Sequence, residues 1–264
     1  MKLSILIPSC KDPHLQQTID DLRAKAEGEI EIIVILDGRF AEVKNADVVL
    51  FNKKRKGLRA SVNMGVEASH GEYLMKIDSH CSFDQGFDKK LLIDIQDNWV
   101  VVPRRYKLDV DKWEVMDEGY IDYDKLVSLP EKISGVHWTQ RRIDRADILI
   151  DETMVMQGSC WVMSRKHWDW LGPLQEEGYG TFTQEPIEIC LKTWLGGGQV
   201  MVNKHTWYAH KHRKFKRTMR LDSDEIVRGN KYSQDFWTNN RWDRRIHDID
   251  WLFERFGLTF KPCL

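Results

Sequence analysis

The feature that most constrains this chain is a succession of short apolar runs separated by amphipathic stretches. Leu3 to Pro8, Ile30 to Leu36, Val48 to Phe51 and Glu72 to Ile77 have strand length, whereas His14 to Ala26 and Leu58 to Ala68 carry apolar residues at helical spacing. In the second of those helices Ala60, Met64 and Ala68 share one face. Strands that alternate with helices are joined by crossovers, which gives a mostly parallel sheet in an α/β fold with helices flanking it. A helix from Phe87 to Gln96 and a strand from Trp99 to Val102 extend the pattern and close a first half of nucleotide-binding type. In such a sheet ligands bind in the crevice outside the carboxyl ends of the strands.

The rhythm changes after residue 103. From Arg104 to Thr153 the chain is rich in charge and aromatics (Tyr106, Trp113, Tyr120, Tyr123, Trp138) with no long apolar period, which predicts short strands and loops that cover a substrate. Thr153 to Ser164 reads as a strand, followed by helices Lys166 to Leu171 and Glu185 to Leu195, the latter stopped by Gly196-Gly197-Gly198. Gln199 to Val202 and Thr206 to Ala209 read as closing strands, and a final helix spans about Arg244 to Phe256.

Composition excludes several classes of function. In 264 residues, 40 Lys and Arg offset 41 Asp and Glu, so no global field recruits polyanions or membranes and any basic function is local. No run approaches transmembrane length, and the apolar opening MKLSILIPSCKD is too short for a signal segment. Cys10, Cys81, Cys160, Cys190 and Cys263 are odd in number with no CxxC pair, which argues against a disulfide framework and a structural zinc. The expectation is a cytoplasmic protein that makes no membrane contact. A nicotinamide dehydrogenase is disfavoured because the first strand runs into Pro8-Ser9-Cys10 without a GxGxxG turn.

Chemistry concentrates where the strand ending at Ile77 delivers Asp78-Ser79-His80. A carboxylate and an imidazole two apart can grip one divalent ion, although Asp and Ser also form ordinary strand exits. His210, at the end of a predicted strand, offers a third ligand, and His212 two residues on offers an alternative. Oxygen and imidazole donors suit Mn2+, and Mg2+ less well, with positions left for substrate oxygens such as those of a diphosphate. Pro8, Asp37, Gly57 and Arg59 lie near the ends of early strands where a nucleoside would rest. Asp37 can accept bonds from uracil or ribose, or be a turn residue before Gly38; Arg59 can reach a phosphate, or lie on the surface. Glu185 and Glu188 open a helix with Pro186 in its first turn, and serve either its dipole or, in the case of Glu185, a sugar hydroxyl flanked by Trp161 and Trp194. Lys53-Lys54-Arg55-Lys56 and the run Lys211 to Arg220 can face a diphosphate, track a nucleic-acid backbone, or be solvated surface.

Taken in order, these segments resemble the GT-A nucleotide-sugar glycosyltransferases over most of the chain. SILIPSCKDPHLQQTI followed by EIIVILDG resembles the opening of the family 2 enzymes, whose corresponding Pro and Asp line the nucleoside pocket. GLRASVNMGVEASHGEYLMKIDSHCSFDQGFDKKLL is similar to the stretch of polypeptide N-acetylgalactosaminyltransferases that carries a DxH metal motif. GSCWVMSRKHWDWLG, QEPIEICLKTWLGGGQV and YAHKHR resemble the later catalytic segments of those enzymes. The resemblance implies a Rossmann-like GT-A domain over 1–220 (a nucleotide half, 1–102, and an acceptor and sugar half, 103–220) with a helical extension over 221–264. It implies His210 as third metal ligand beside Asp78 and His80, Glu185 as the sugar-binding glutamate, and Arg213 near the diphosphate.

The expectation is therefore a metal-dependent hexosyltransferase that uses a UDP-sugar, with Asp78 and Glu185 as its catalytic residues. Pro186 stands where inverting family 2 enzymes usually carry an Asp base, which leans the reading towards retention. The acceptor is open among a protein, a glycan and a hydroxymethylated base in DNA, the last reached through the Lys211–Arg220 run. Two other classes compete: a nucleic-acid-binding module built on the basic clusters, and a metal hydrolase built on Asp78, His80 and His210.

Overall fold

The computed structural model describes residues 2–212, 214–215 and 222–260. Its first half follows the alternation: β1 (Leu3–Ser9), α1 (Leu15–Lys25), β2 (Ile30–Asp37), β3 (Val48–Asn52), α2 (Leu58–Glu67), β4 (Tyr73–Ile77), β5 (Cys81–Phe83), α3 (Phe87–Leu92) and β6 (Trp99–Asp109). There follow β7 (Glu114–Ile121), β8 (Asp124–Leu129), β9 (Lys132–His137), α4 (Thr139–Asp144), β10 (Ile150–Glu152), β11 (Cys160–Ser164), α5 (Arg165–Leu171), α6 (Glu185–Leu195), β12 (Gln199–Lys211), α7 (Ser223–Thr238) and α8 (Ile249–Arg255).

One mixed sheet runs in the order β10-β12-β6-β11-β4-β1-β2-β3, with β5 added to β12 and β7 to β6. β3, β2, β1 and β4 are parallel neighbours, as are β6 and β12, while β11 is inserted antiparallel between β4 and β6. Strands buried on both faces read as continuous apolar runs, which is why the first half is so legible. Leu6, Ile33, Ile35 and Leu74 join a core with α2, α5, α6 and α8, whereas Ile5, Ile7, Val34, Met75 and Ile77 join another with α1 and α3. Of the helices, α6 is the most enclosed, with Glu185 and Ile187 through Leu195 all buried. A helix apolar around most of its circumference belongs inside, and each such Leu or Ile contributes about 1.5–3 kcal/mol.

Several expectations change in detail. The helix expected to reach Gln96 stops at Leu92, because Ile93 is extended and Asp94 takes a left-handed φ of 61°. The run Thr153 to Ser164 is a strand only from Cys160, and its earlier part is a loop that buries Met154, Val155 and Met156 in the core. The two closing strands are one, β12, with a register shift between Asn203 and Trp207. The stretch expected as short strands and loops holds β7 to β10 and also a helix, α4, and neither β5 nor α7 has an apolar period of its own to mark it. No helix among the described residues is long and apolar enough to cross a membrane.

Candidate metal and donor site

Asp78 follows directly on β4, its amide held by the Ser159 carbonyl at 3.0 Å. The chain then turns into β5, which pairs with β12 so that Cys81 faces His210, and Lys211 N–H donates to the His80 carbonyl at 3.1 Å. That register brings together groups distant in sequence. His210 Nε2 lies 3.1 Å from Asp78 Oδ2 and 3.1 Å from His80 Nε2, and the three donor atoms fall within 4.8 Å of one another.

The donor set fits a divalent ion. His80 Nδ1 meets Asp12 Oδ2 at 2.7 Å, an arrangement that orients the ring and turns the Nε2 lone pair towards Asp78 and His210. Burial would raise the Asp12 carboxyl, but His80 and the His14 amide outweigh it and hold it below its ordinary value. For Asp78 burial likewise opposes ionisation, and Lys76 with the two imidazoles overcomes it, keeping the group well below the usual carboxylate range. Burial lowers the His210 imidazole, against the attraction of Asp78, so the ring is neutral and available as a ligand near pH 7.

Behind the carboxylate lies a residue absent from the sequence expectations. Lys76, only 1 % exposed, donates to Asp78 Oδ1 at 2.8 Å and to the Gly158 carbonyl at 2.5 Å. Glu185 is also 1 % exposed and accepts a bond from Trp161 Nε1 at 2.6 Å. Burial raises the Glu185 carboxyl, and the pull of Lys76 and the Trp161 bond only partly offset it. Gly158 is required here because a Cβ would collide with Glu185 Oε2 and crowd the Pro186 ring.

These groups open into one pocket of about 590 Å³, whose wall includes Pro8, Asp37, Gly57, Lys76, Asp78, His80, Glu185 and His210. At its other end Asp37, 4 % exposed, accepts from the Lys56 and Gly57 amides at 2.8 Å each and from Asn52 Nδ2 at 3.2 Å. Gly57 holds φ 98° and packs so closely on Thr181 that a Cβ would overlap it. The wall also takes residues that no local pattern marked: Asp12, Gln157 and Ser159, with Phe182, Ile226 and Asn230 near the C-terminal helices.

Two expected donor-binding residues are not on that wall. Arg59 is 1 % exposed, pairs with Glu188, donates to the Thr183 and Gln175 carbonyls and stacks over Tyr179 at 3.9 Å. Its charge is spent on holding the loop before α6 against α2. Trp161 is fully buried against Trp168 and reaches the pocket only through Glu185. Trp194 donates instead to the Met154 carbonyl and does not flank Glu185. Arg213 and most of the Lys211–Arg220 run lie outside the described residues. His212 lines the pocket, but His210, not His212, is grouped with Asp78 and His80.

Residues 4–170 match the profile of glycosyl transferase family 2. The chain belongs to this family. Among curated family relatives, a putative polypeptide N-acetylgalactosaminyltransferase 13 of Drosophila melanogaster is 26 % identical over 162 residues, covering 58 % of this chain and 27 % of the relative. Polypeptide N-acetylgalactosaminyltransferase 10 of Rattus norvegicus is 26 % identical over 178 residues, covering 63 % and 28 %. The aligned part thus spans little more than a quarter of those proteins. The structure of GalNAc-T7 with UDP, GalNAc and Mn2+ superposes with a TM-score of 0.69 at 18 % identity, covering 98 % of this chain and 55 % of that one. A Pyrobaculum calidifontis mannosyltransferase with GDP-Man and Mn2+ gives 0.52 at 11 % identity over 82 % of this chain and 58 % of its own. The family 2 chain described here has the GT-A fold.

Proposed function

We propose that this chain transfers a hexose from a UDP-sugar to an acceptor hydroxyl, with a divalent ion, Mn2+ in preference to Mg2+, held by Asp78, His80 and His210. The observation that carries the reading is the convergence of those donors beside Glu185 in the pocket that Asp37 and Gly57 close at its far end. Membership of family 2 and the resemblance to polypeptide N-acetylgalactosaminyltransferases support it. When bound, the ion neutralises charge on the departing diphosphate.

The protein's own groups divide the remaining work. Asp37 spends three lone-pair sites on Asn52 and the Lys56 and Gly57 amides and keeps one, on Oδ2, with which it can accept from a nucleoside. Gly57 lets that loop approach without a side chain. Glu185, oriented by Trp161, accepts a bond from a sugar hydroxyl and holds the donor at the ion. Pro186 lines the pocket next to it and cannot deprotonate an acceptor, which supports retention of configuration. Phe182, Ile226 and Asn230, on the pocket wall, are proposed to face the acceptor.

Calorimetric titration with UDP, with and without Mn2+, tests the donor site, and no UDP affinity under either condition removes the reading. A panel of UDP-sugars with protein, glycan and hydroxymethylated-DNA acceptors, the product anomer read by NMR, tests the reaction. A β-linked product from an α-linked donor overturns retention, and free sugar as the main product with every acceptor ignored identifies a hydrolase.

A further inference from the structure

Lys76 occupies a position that the sheet reserves for an apolar side chain. It lies in the interior of β4, its register partners are Leu6 on β1 and Trp161 on β11, both fully buried, and Leu74 on the same face is core. An isolated ammonium there would cost many kcal/mol, so the fold tolerates it only because of what it meets. It meets Asp78 Oδ1 at 2.8 Å and the Gly158 carbonyl at 2.5 Å, and the Glu185 carboxylate acts on it as well. One buried cation thus stands between the carboxylate offered to the ion and the carboxylate offered to the sugar.

We propose that Lys76 is a positioning residue that fixes how Asp78 faces the ion and how far Glu185 stands from it. By taking Oδ1, the ammonium leaves Asp78 a single oxygen, Oδ2, directed at His210 and His80. By bonding the Gly158 carbonyl, it anchors the loop whose missing Cβ gives Glu185 its room. A cation close to a cation site also weakens metal binding, so Lys76 gives up affinity for the ion in return for geometry. This separates it from a residue that only supports the fold, whose loss lowers stability, metal affinity and turnover together.

The inference rests on the proposed function, and two measurements keep their failures apart. Mn2+ titration of the wild-type chain by calorimetry, without nucleotide, tests the metal site itself. The same titration of Lys76→Met tests Lys76, with expected Mn2+ affinity unchanged or raised by up to about tenfold once the neighbouring positive charge is gone. With the best UDP-sugar and acceptor, Lys76→Met is expected to lower kcat by at least about tenfold, because Asp78 can rotate to offer both oxygens and Glu185 shifts. If Lys76→Met does not fold, Lys76→Gln, which keeps a neutral donor to Asp78, carries the same expectation for the ion and a smaller loss in kcat. Parallel losses of Mn2+ affinity and kcat, or an unchanged kcat in the folded variant, overturn the proposal.

Discussion

The two ends of the pocket are organised by different means. At the Asp37 end the backbone does the holding: two amides and the Asn52 amide saturate much of one carboxylate, and Gly57 takes a φ open to almost no other residue. At the Asp78 end side chains hold one another, in a chain that runs from Asp12 through His80, His210 and Asp78 to Lys76. Backbone contacts resist changes of charge and fail by strain. Side-chain networks fail by the loss of a partner, and an ion held as proposed would draw on them directly.

The largest expected effect tests that division outright. His210→Ala or Asp78→Asn removes a proposed ligand, and transfer should fall by several kcal/mol of transition-state stabilisation, about 1,000-fold, while UDP binding without metal is nearly unchanged. Equal loss of metal-free UDP binding would mean that the two ends are not independent. Gly57→Ala attacks the other end. It should cost up to about 3 kcal/mol of stability in urea unfolding, through φ 98° and the overlap with Thr181, while Mn2+ affinity changes by less than about twofold.

A finer test is Asp12→Asn, which leaves the His80 ring in place but weakens its orientation. Calorimetry should give an Mn2+ affinity lower by about 10- to 100-fold with thermal stability little altered, and an unchanged affinity would detach Asp12 from the site. The smallest effect is one of pH. Since burial depresses the His210 imidazole below its ordinary value, protons compete with the ion for that ligand only at acidic pH, and Asp78 stays ionised throughout. The share of Mn2+ affinity that His210→Ala removes should therefore stay constant within about twofold from pH 8 to 6.5 and shrink below it, and a shrinkage that begins above pH 7 would contradict the assignment.

Sequence reasoning reached the first half of the fold because a parallel strand buried on both faces has to be apolar along its length. It reached Asp78, His80 and His210 because a strand end and a resemblance marked them. It could not reach Asp12, whose partner His80 lies 68 residues away, nor Lys76, whose burial contradicts its charge. Arg59 misled for the same reason: its compensating groups, Glu188 on α6 and the Gln175 and Thr183 carbonyls of the loop before it, lie more than a hundred residues on. Helix α7 carries just three buried residues, Gly229, Ser233 and Trp237, and two of them give no apolar signal. The register shift in β12 likewise depends on partners that the local sequence does not name.

The loop that leads into α6 sets the smallest piece of this protein worth producing. Gln184, held at a left-handed φ of 60°, donates to the Ile133 carbonyl at 3.0 Å and to Asn230 at 2.8 Å, and Thr181 is tied to Glu225 through both its amide and its hydroxyl. The family 2 match ends at residue 170, before Glu185 and His210 and well before the helix that braces them. A fragment trimmed to that boundary would keep the proposed nucleoside cradle, lose one of the three proposed metal donors and the glutamate proposed to bind the sugar, and expose the core face that α6 covers. Expression designs and domain swaps built on this chain should therefore carry it at least through α8, which packs in the same core as α6, whatever boundary the family alignment suggests.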